Sequence, residues 1–245
     1  MGTPLTHAES SAKRFGGSAY EYLPIHCWMD SSRTFIGDFR HRYMRHHTGG
    51  VADANRRFGE TLRNNDGLLV PITDIVNVHI LEDLGTIPTP TDWFKCVDIQ
   101  LWMQNVPAVS LEDYIKVPDT PEKALAYTEA LSQITDWLDA VEVDGINGSS
   151  RMFRYTSFTI TDAWSLVGPI VERDGYEFST DRLIETVIMH QFGRIPSAYE
   201  WAMHIRPEVW MGLARDKTDV SGITSMLPTK RGCDRNDNFM SHFQF

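Results

Sequence analysis

The sequence predicts a mainly α-helical protein made of two similar helical units, each with a short β-hairpin, plus a connecting amphipathic helix. Three observations lead to this fold class. Apolar residues recur at three- to four-residue spacing in several segments, which is typical of amphipathic helices. Capping and turn residues separate those segments. One stretch of the chain, residues 66–103, occurs a second time further along.

The repeat becomes visible when 108 is added to the residue numbers, which lays residues 174–211 on residues 66–103 without a gap. The matched positions include an Asp-Gly turn, a glycine–proline corner and two tryptophans. The matched residues that we expect to have a structural role are Gly85, Pro88, Trp93 and Trp102 in the first copy, and Gly193, Pro196, Trp201 and Trp210 in the second. Such constant spacing of infrequent residue types predicts a tandem duplication.

Shifts in composition divide the chain into five segments. They are an N-terminal arm (1–30), a first helical repeat unit (31–110), an acidic connector with a helix at 122–141 (111–147), a second helical repeat unit (148–212) and a C-terminal tail (213–245). The connector is acidic because residues 111–144 hold nine Asp or Glu and two Lys. Thr120 is expected to cap its helix.

The first part of the chain is predicted to hold a polar arm followed by two helices. Residues 1–20 are small and polar and are predicted to form an arm or loop. A helix is expected from Ser31 or Ser32 to His47, ended by Gly49-Gly50 because glycine readily takes the geometry of a helix C-terminus. A shorter helix at 51–58 should follow.

The repeated stretch predicts a hairpin, a helix, a corner and a capped helix. Asp66-Gly67 favours the positive φ angles of a tight hairpin turn. A helix should begin near Thr73 and stop at Gly85. The next helix has Thr89 as its cap in the first copy, and Ser197 in the second.

Composition excludes several classes of protein. A formal net charge of −10 argues against a general nucleic-acid-binding surface, which would be basic. Three widely spaced cysteines fit a reducing compartment better than a disulfide scaffold. The N-terminus has no apolar core of a signal peptide, and no apolar run approaches the roughly 20 residues that cross a bilayer. A cytoplasmic protein is expected, with the virion as the alternative location.

Histidines and carboxylates cluster in the first half and could form a metal site. The candidate ligands are His41, His46, His47, His79, Glu82 and Asp83. The last three share a helix face, and His26 and Asp30 would also lie one helical turn apart. Imidazoles with carboxylates from several helices are what a divalent transition metal needs. The competing interpretation is that these residues are buried polar plugs and ordinary helix pairs. In the second copy His79 becomes Val187, so any chemistry is confined to the first copy.

A basic segment is the other candidate site. Seven arginines lie between residues 33 and 63, against three acids. The candidate anion- or partner-binding residues are Arg40, Arg42, Arg45, Arg56 and Arg57. They could bind phosphate or an acidic partner. Pairing within the protein, with its acidic connector, is the favoured alternative.

The last residues suggest a protein partner or self-assembly. Phe239, Phe243 and Phe245 would lie on one side of an extended strand. An aromatic tip of this kind is expected to need a partner surface.

Several motifs in the first half resemble an uncharacterised domain family found in bacterial and bacteriophage genomes. They are Asp38-Phe-Arg-His-Arg42, Arg45-His-His47, Asn65-Asp-Gly67 and His79-x-x-Glu-Asp-Leu-Gly85-x-Ile-Pro88. The resemblance covers about residues 7–100. It implies a phage or prophage setting and supplies no reaction.

Two functions therefore remain open. The first is a structural or interaction protein of phage type, such as a virion or assembly component. The second is a metal-dependent hydrolase with its His/Glu/Asp site in the first repeat. Neither cofactor nor substrate follows from the sequence, beyond the divalent metal that the histidine cluster could hold.

Overall fold

The computed structural model describes residues 2–104, 120–140 and 151–212. The predicted fold class is confirmed at the level of secondary structure, because these residues are mainly helical with two short antiparallel strand pairs. The chain divides into two compact units. The described residues of unit 1 are 2–88 and 207–212. Those of unit 2 are 89–104, 120–140 and 151–206. None of the helices in these ranges is long and apolar enough to span a membrane.

Unit 1 is a group of helices with one hairpin. Its elements are α1 (Pro4–Phe15), α2 (Ala19–Met29), α3 (Arg33–Ile36), a 3₁₀ segment (Phe39–Met44), α4 (Thr48–Phe58), β1 (Thr61–Arg63), β2 (Leu69–Pro71), α5 (Ile72–Leu84) and a second 3₁₀ segment (Val209–Met211). Helix α5 lies at the centre, since it contacts α1, α2 and α4. Its Ile75, Val76 and Ile80 are fully buried.

The prediction of an arm or loop at residues 1–20 was wrong. Helix α1 begins after Thr3, whose hydroxyl accepts a hydrogen bond from the Thr6 amide at 3.2 Å. Pro4 occupies the first turn, where its fixed φ suits a helix and its missing N–H costs nothing. The inward face of α1 consists of His7, Ala8 and Ser11, too polar to be recognised as a core face.

The predicted helix from Ser31 or Ser32 to His47 was also wrong. Helix α3 ends at Gly37, which takes left-handed geometry with φ of 77°. Asp38 then caps a 3₁₀ segment, and Gly49-Gly50 lie in the first turn of α4 and not at a helix end. Gly50 is needed for space, because a Cβ there would lie 1.9 Å from the Arg45 carbonyl oxygen.

The hairpin and the helix of the repeated stretch are confirmed. Strands β1 and β2 pair antiparallel with Leu62 opposite Val70. Helix α5 follows and ends at Gly85, with φ of 76°. At the predicted glycine–proline corner, the Pro88 carbonyl oxygen accepts a hydrogen bond from the Thr48 amide at 3.0 Å.

Unit 2 contains the second hairpin and the long predicted helix. Its elements are α6 (Pro90–Phe94), a 3₁₀ segment (Leu101–Met103), α7 (Pro121–Asp139), α8 (Arg151–Arg154), α9 (Ser157–Leu166), β3 (Ile170–Arg173), β4 (Tyr176–Ser179), α10 (Thr180–Phe192) and α11 (Ala198–Ala202). Helices α7 and α9 both pack on α10. The predicted cap of α7 is confirmed, since Thr120 Oγ1 accepts from the Lys123 amide at 3.3 Å.

Tryptophans anchor the ends of the repeated stretches in unit 2. Trp93 and Trp201 are 0% and 1% exposed. The ring of Trp102 lies edge-on to Trp201, with centroids 4.9 Å apart. The helices that carry Trp93 and Trp201 begin with the predicted capping boxes, at Thr89 and Ser197.

Several elements have the same bounds once 108 is added to the residue numbers. Helix α5 (Ile72–Leu84) corresponds to α10 (Thr180–Phe192), and α6 (Pro90–Phe94) to α11 (Ala198–Ala202). The helix ends also agree, because Gly193 has φ of 64° where Gly85 has 76°. The repeated stretches therefore have the same secondary structure.

The contact at Gly50 gives a test of the fold. We expect Gly50→Ala to lower the free energy of unfolding by about 3 kcal/mol, because the new methyl group meets immobile backbone. Gly37→Ala is the control, with open space around its Cβ and a positive φ, and it should cost about 1 kcal/mol. Urea unfolding of both variants measures the difference. Equal losses would mean that the close approach at Gly50 is not a constraint.

Candidate metal centre

Unit 1 buries an unusual number of histidines. They are His7, His26, His41, His46, His47 and His79, each between 0% and 2% exposed. Two carboxylates, Asp30 and Asp83, are buried beside them at 4% and 7%. Buried charged side chains are rare unless they are paired or coordinate a metal. The charges of this cluster must therefore be compensated by ion pairs, by hydrogen bonds or by a bound cation.

Three separate elements bring four of these side chains to one point. Asp30 is the C-cap of α2, and His46 follows the 3₁₀ segment Phe39–Met44. His79 and Asp83 lie on α5, four residues and thus one helical turn apart. One ligand atom from each of the four lies within 4.8 Å of those from the others.

The distances in this group suit coordination better than hydrogen bonding. His46 Nε2 lies 3.5 Å from Asp30 Oδ1, 3.3 Å from Asp83 Oδ2 and 3.0 Å from His79 Nε2. His79 Nε2 lies 3.4 Å from Asp30 Oδ1 and 3.9 Å from Asp83 Oδ2. Most of these separations exceed the 2.7–3.2 Å of an N–H···O bond. Ligand atoms around a tetrahedral ion with bonds of about 2.1 Å stand roughly 3.4 Å apart.

The ionisation states also suit a cation. Burial would raise the pKa of Asp30, but the neighbouring imidazoles of His79, His41 and His46 hold that pKa well below its usual range. The pKa of Asp83 is lowered likewise, with His46, His7 and Arg42 outweighing burial. Burial lowers the pKa of His79. Ionised carboxylates and neutral imidazoles are the forms that bind metal ions.

A hydrogen-bonded chain fixes the orientation of His79. Burial lowers the pKa of His26 to about 2, so this ring is neutral. Its Nε2 lies 2.9 Å from Ser11 Oγ and its Nδ1 lies 2.8 Å from His79 Nδ1. When His26 donates to Ser11, its Nδ1 accepts from His79 Nδ1–H, which leaves a lone pair on His79 Nε2. Metal-binding histidines characteristically donate their second ring N–H in this way.

His7 and Glu82 form a pair on the more accessible side. His7 Nδ1 lies 2.6 Å from Glu82 Oε2, and Ser10 Oγ donates to Glu82 Oε1. His7 Nε2 approaches Asp83 Oδ1 at 3.4 Å. Although burial lowers the pKa of His7, hydrogen bonds to Asp83 and Glu82 raise it above the usual value. The Glu82 side chain is 34% exposed, so this pair connects the buried cluster to the surface.

Two more residues border the cluster. Arg42 Nε donates to Asp83 Oδ2 at 3.0 Å, and its Nη1 donates to the Met211 carbonyl oxygen at 3.0 Å. His41 Nδ1 donates to the Asp38 carbonyl oxygen at 2.5 Å and its Nε2 lies 3.3 Å from Asp30 Oδ1. Both side chains thus hold a carboxylate of the cluster in place.

Of the six predicted ligands, the structure brings His46, His79 and Asp83 together. His41 lies beside Asp30, and Glu82 faces His7. His47 is the N-cap of α4, because its Nδ1 accepts a hydrogen bond from the Gly50 amide at 3.2 Å. The predicted ligand set did not include Asp30, His7 or His26. The spacing of His26 and Asp30, one helical turn apart, was the signal for two of them.

The predicted arginine patch is not a surface of five free cations. Arg42 and Arg45 are 2% and 3% exposed. Arg45 donates to the Trp28 carbonyl oxygen and stacks 4.0 Å from the Trp28 ring centroid. Two other members pair with nearby acids, Arg40 with Asp38 and Arg56 with Asp53.

The fifth member, Arg57, lies over the ring of its neighbour Phe58, 5.4 Å from the centroid. Internal pairing of the arginines was the favoured interpretation. Among the described residues, the acids that Arg40, Arg42 and Arg56 meet lie in unit 1. Residues 111–119 and 141–147 of the acidic connector lie outside the described residues, so pairing with them stays a prediction.

Comparison with known proteins gives a match for the first part of the chain. No curated protein and no solved structure matches the sequence. One family model does, and it spans α1 to the 3₁₀ segment Leu101–Met103, including every residue of the cluster. The predicted resemblance to an uncharacterised family is thereby confirmed: residues 2–103 match DUF6915, a domain of unknown function.

Proposed function

We propose that unit 1 binds one divalent transition-metal ion through Asp30, His46, His79 and Asp83 and uses it for hydrolysis. The observation that carries the proposal is the spacing of the four ligand atoms, all within 4.8 Å of one another and mostly too far apart for hydrogen bonds. A cation at their centre would compensate two buried carboxylates.

The ligand types narrow the choice of metal. Two imidazole nitrogens and two carboxylate oxygens suit Zn²⁺, Mn²⁺ or Fe²⁺. Calcium and magnesium prefer oxygen ligands only, and no cysteine belongs to the group. Zinc, manganese and iron(II) are therefore the ions to test first.

Hydrolysis is supported by the His7–Glu82 pair. A metal ion held by these four residues would have to accept water as a fifth ligand, and it would then lower the pKa of that water towards about 7. Glu82 lies beside the cluster with a third of its side chain exposed, and His7 joins it to Asp83. In this arrangement Glu82, through His7, would take up a proton from such a water and release it to solvent.

The metal content of the purified protein tests the first half of the proposal. We expect about one equivalent of transition metal per chain and a loss of most of it in His79→Ala, since the substitution removes a ligand. His204→Ala, a histidine of unit 2, is the matched control and should keep the metal. Elemental analysis and thermal unfolding with and without chelator give the readouts. Metal below about one-tenth of an equivalent, with unchanged stability in His79→Ala, would end the metal proposal.

Turnover of a generic phosphodiester, bis(p-nitrophenyl) phosphate, tests the second half. The metal-loaded protein should hydrolyse it, and Glu82→Gln should retain the metal but lose about 100-fold in rate, because the base is gone. Glu185→Gln is the control, a carboxylate of similar exposure on α10. If the loaded protein is no faster than chelator-treated protein, the ion is structural and the hydrolytic role is refuted.

We also propose that the two halves arose by tandem duplication. The matching bounds of α5 and α10 support this, as does an antiparallel bridge between Val97 and Ile205, which are 108 residues apart. Its two hydrogen bonds are equivalent to each other. Asp98 N donates to the His204 carbonyl oxygen, and Arg206 N donates to the Cys96 carbonyl oxygen, both at 2.8 Å.

An interaction role, as a phage particle or assembly component, is the second candidate function. One exposed apolar side chain in each unit supports this role: Leu101 in unit 2 is 86% exposed, and Val209 in unit 1 is 77% exposed. The C-terminal phenylalanines lie outside the described residues. We expect deletion of residues 239–245 to reduce self-association or partner binding, as measured by light scattering and co-purification. A monomer unaffected by the deletion would count against this role.

A further inference from the structure

Each compact unit contains residues from both copies of the repeat. The family match and the repeated stretch of the first copy both end at residue 103, but residues 89–104 belong to unit 2. In the other direction, residues 207–212 end the second copy and belong to unit 1. Each copy therefore contributes its C-terminal end to the unit that consists mainly of the other copy.

In unit 1 the end of the second copy borders the metal cluster. Arg42 Nη1 donates to the Met211 carbonyl oxygen at 3.0 Å, while Nε of the same guanidinium holds Asp83. Gly212 approaches α5 so closely that a Cβ there would lie 2.7 Å from the Asp83 carbonyl oxygen. Arg42 thus binds a buried carboxylate of the first copy and the backbone of the second copy at once.

In unit 2 the end of the first copy is held by a tryptophan. The Trp102 ring lies 4.9 Å from the Trp201 ring and 6.2 Å from the His204 ring, measured between centroids. The Arg194 guanidinium lies 4.6 Å from the Trp102 centroid. Aromatic and cation–π contacts stabilise an association beyond the apolar area that it buries. Trp102 is therefore the side chain that anchors the first copy to the second.

The backbones of the two copies meet symmetrically in unit 2, but the adjacent side chains are of opposite charge. Val97 and Ile205 occupy equivalent positions and form the antiparallel bridge. Next to them, Asp98 Oδ1 lies 3.1 Å from Arg206 Nε, and these two residues are also equivalent. The Arg206 guanidinium also donates to the Lys95 carbonyl oxygen at 3.2 Å.

This pair of charges distinguishes unlike copies from like copies. The same bridge between two first copies would place Asp98 against a second Asp98, and between two second copies it would place Arg206 against a second Arg206. Like charges facing each other across paired strands are destabilising. The cation over Trp102 distinguishes the copies as well, because the first copy has Thr86 at the position of Arg194.

We propose that residues 95–103 and 194–206 form a copy-pairing surface, which binds a first copy to a second copy and disfavours pairing of like copies. Its partner is thus a repeat of opposite charge at the bridge, and Asp98 and Arg206 set the choice. The inference rests on the proposed duplication for the equivalence of these positions. It does not depend on metal binding.

Cleaving the connector of the full chain tests the pairing. A protease recognition sequence is inserted between Glu112 and Asp113 and is cut in the folded protein. We expect the two halves to elute together at the mass of the intact chain, because each unit still contains residues of both halves. Separation of the halves in native buffer overturns the proposal, whatever the metal content of the protein.

Charge variants of the cleaved protein test the selectivity. Asp98→Arg reproduces the charges of two second copies, and Arg206→Asp reproduces those of two first copies. Each should release the second half from an immobilised first half about fivefold faster at low salt, a modest change because both side chains are more than half exposed. The combined variant should restore most of the slow release. Single variants that release at the parental rate, or a combined variant without rescue, refute the selectivity.

A control separates this contact from general charge effects. Glu9→Arg makes the same change of charge at an exposed position of α1 and should release at the parental rate. The effects of Asp98→Arg and Arg206→Asp should also decrease in 1 M salt, where the screening length is about 3 Å. Equal acceleration by Glu9→Arg, or acceleration that salt leaves unchanged, would refute the assigned role of the two charges.

Discussion

Two carboxylates, Asp30 and Asp83, are buried together at the centre of unit 1, and the surrounding structure serves to make that burial tolerable. Removing a carboxylate from water costs several kcal/mol unless a positive group or hydrogen bonds compensate it. Arg42 supplies one fixed charge to Asp83 at 3.0 Å. Imidazoles supply the rest of the contacts, and they can do so as hydrogen-bond donors or as fellow ligands of a cation. The close approach of Gly50 to the Arg45 backbone holds the turn from which His46 reaches this point.

The parts of the fold that were predictable are those specified locally. The hairpin at Asp66-Gly67, the end of α5 at Gly85 and the caps at Thr89 and Ser197 depend on residues within a few positions of one another. Periodicity and capping chemistry report such features directly.

The errors arose where long-range packing decides the outcome. Helix α1 places the polar residues His7 and Ser11 in the core because partners 15 to 75 residues away receive them. Gly49-Gly50 looked like a helix end because glycine permits that geometry, but Gly50 is required for steric room at a helix start. The site was predicted in part for the same reason. His79 and Asp83 share a helix, whereas the placement of Asp30 next to them is a property of the tertiary structure.

The bridge between Val97 and Ile205 lies within unit 2 and joins equivalent residues of the two copies, which affects how the copies could diverge. If the two copies were separate, identical chains, both partners of this contact would always be the same residue type, because every mutation would change both copies. Joining the copies in one chain, as the proposed duplication does, removes that constraint. Each copy can then vary alone, so the first copy can keep His79 and Asp83 while the second has Val187 and Gln191 at those positions.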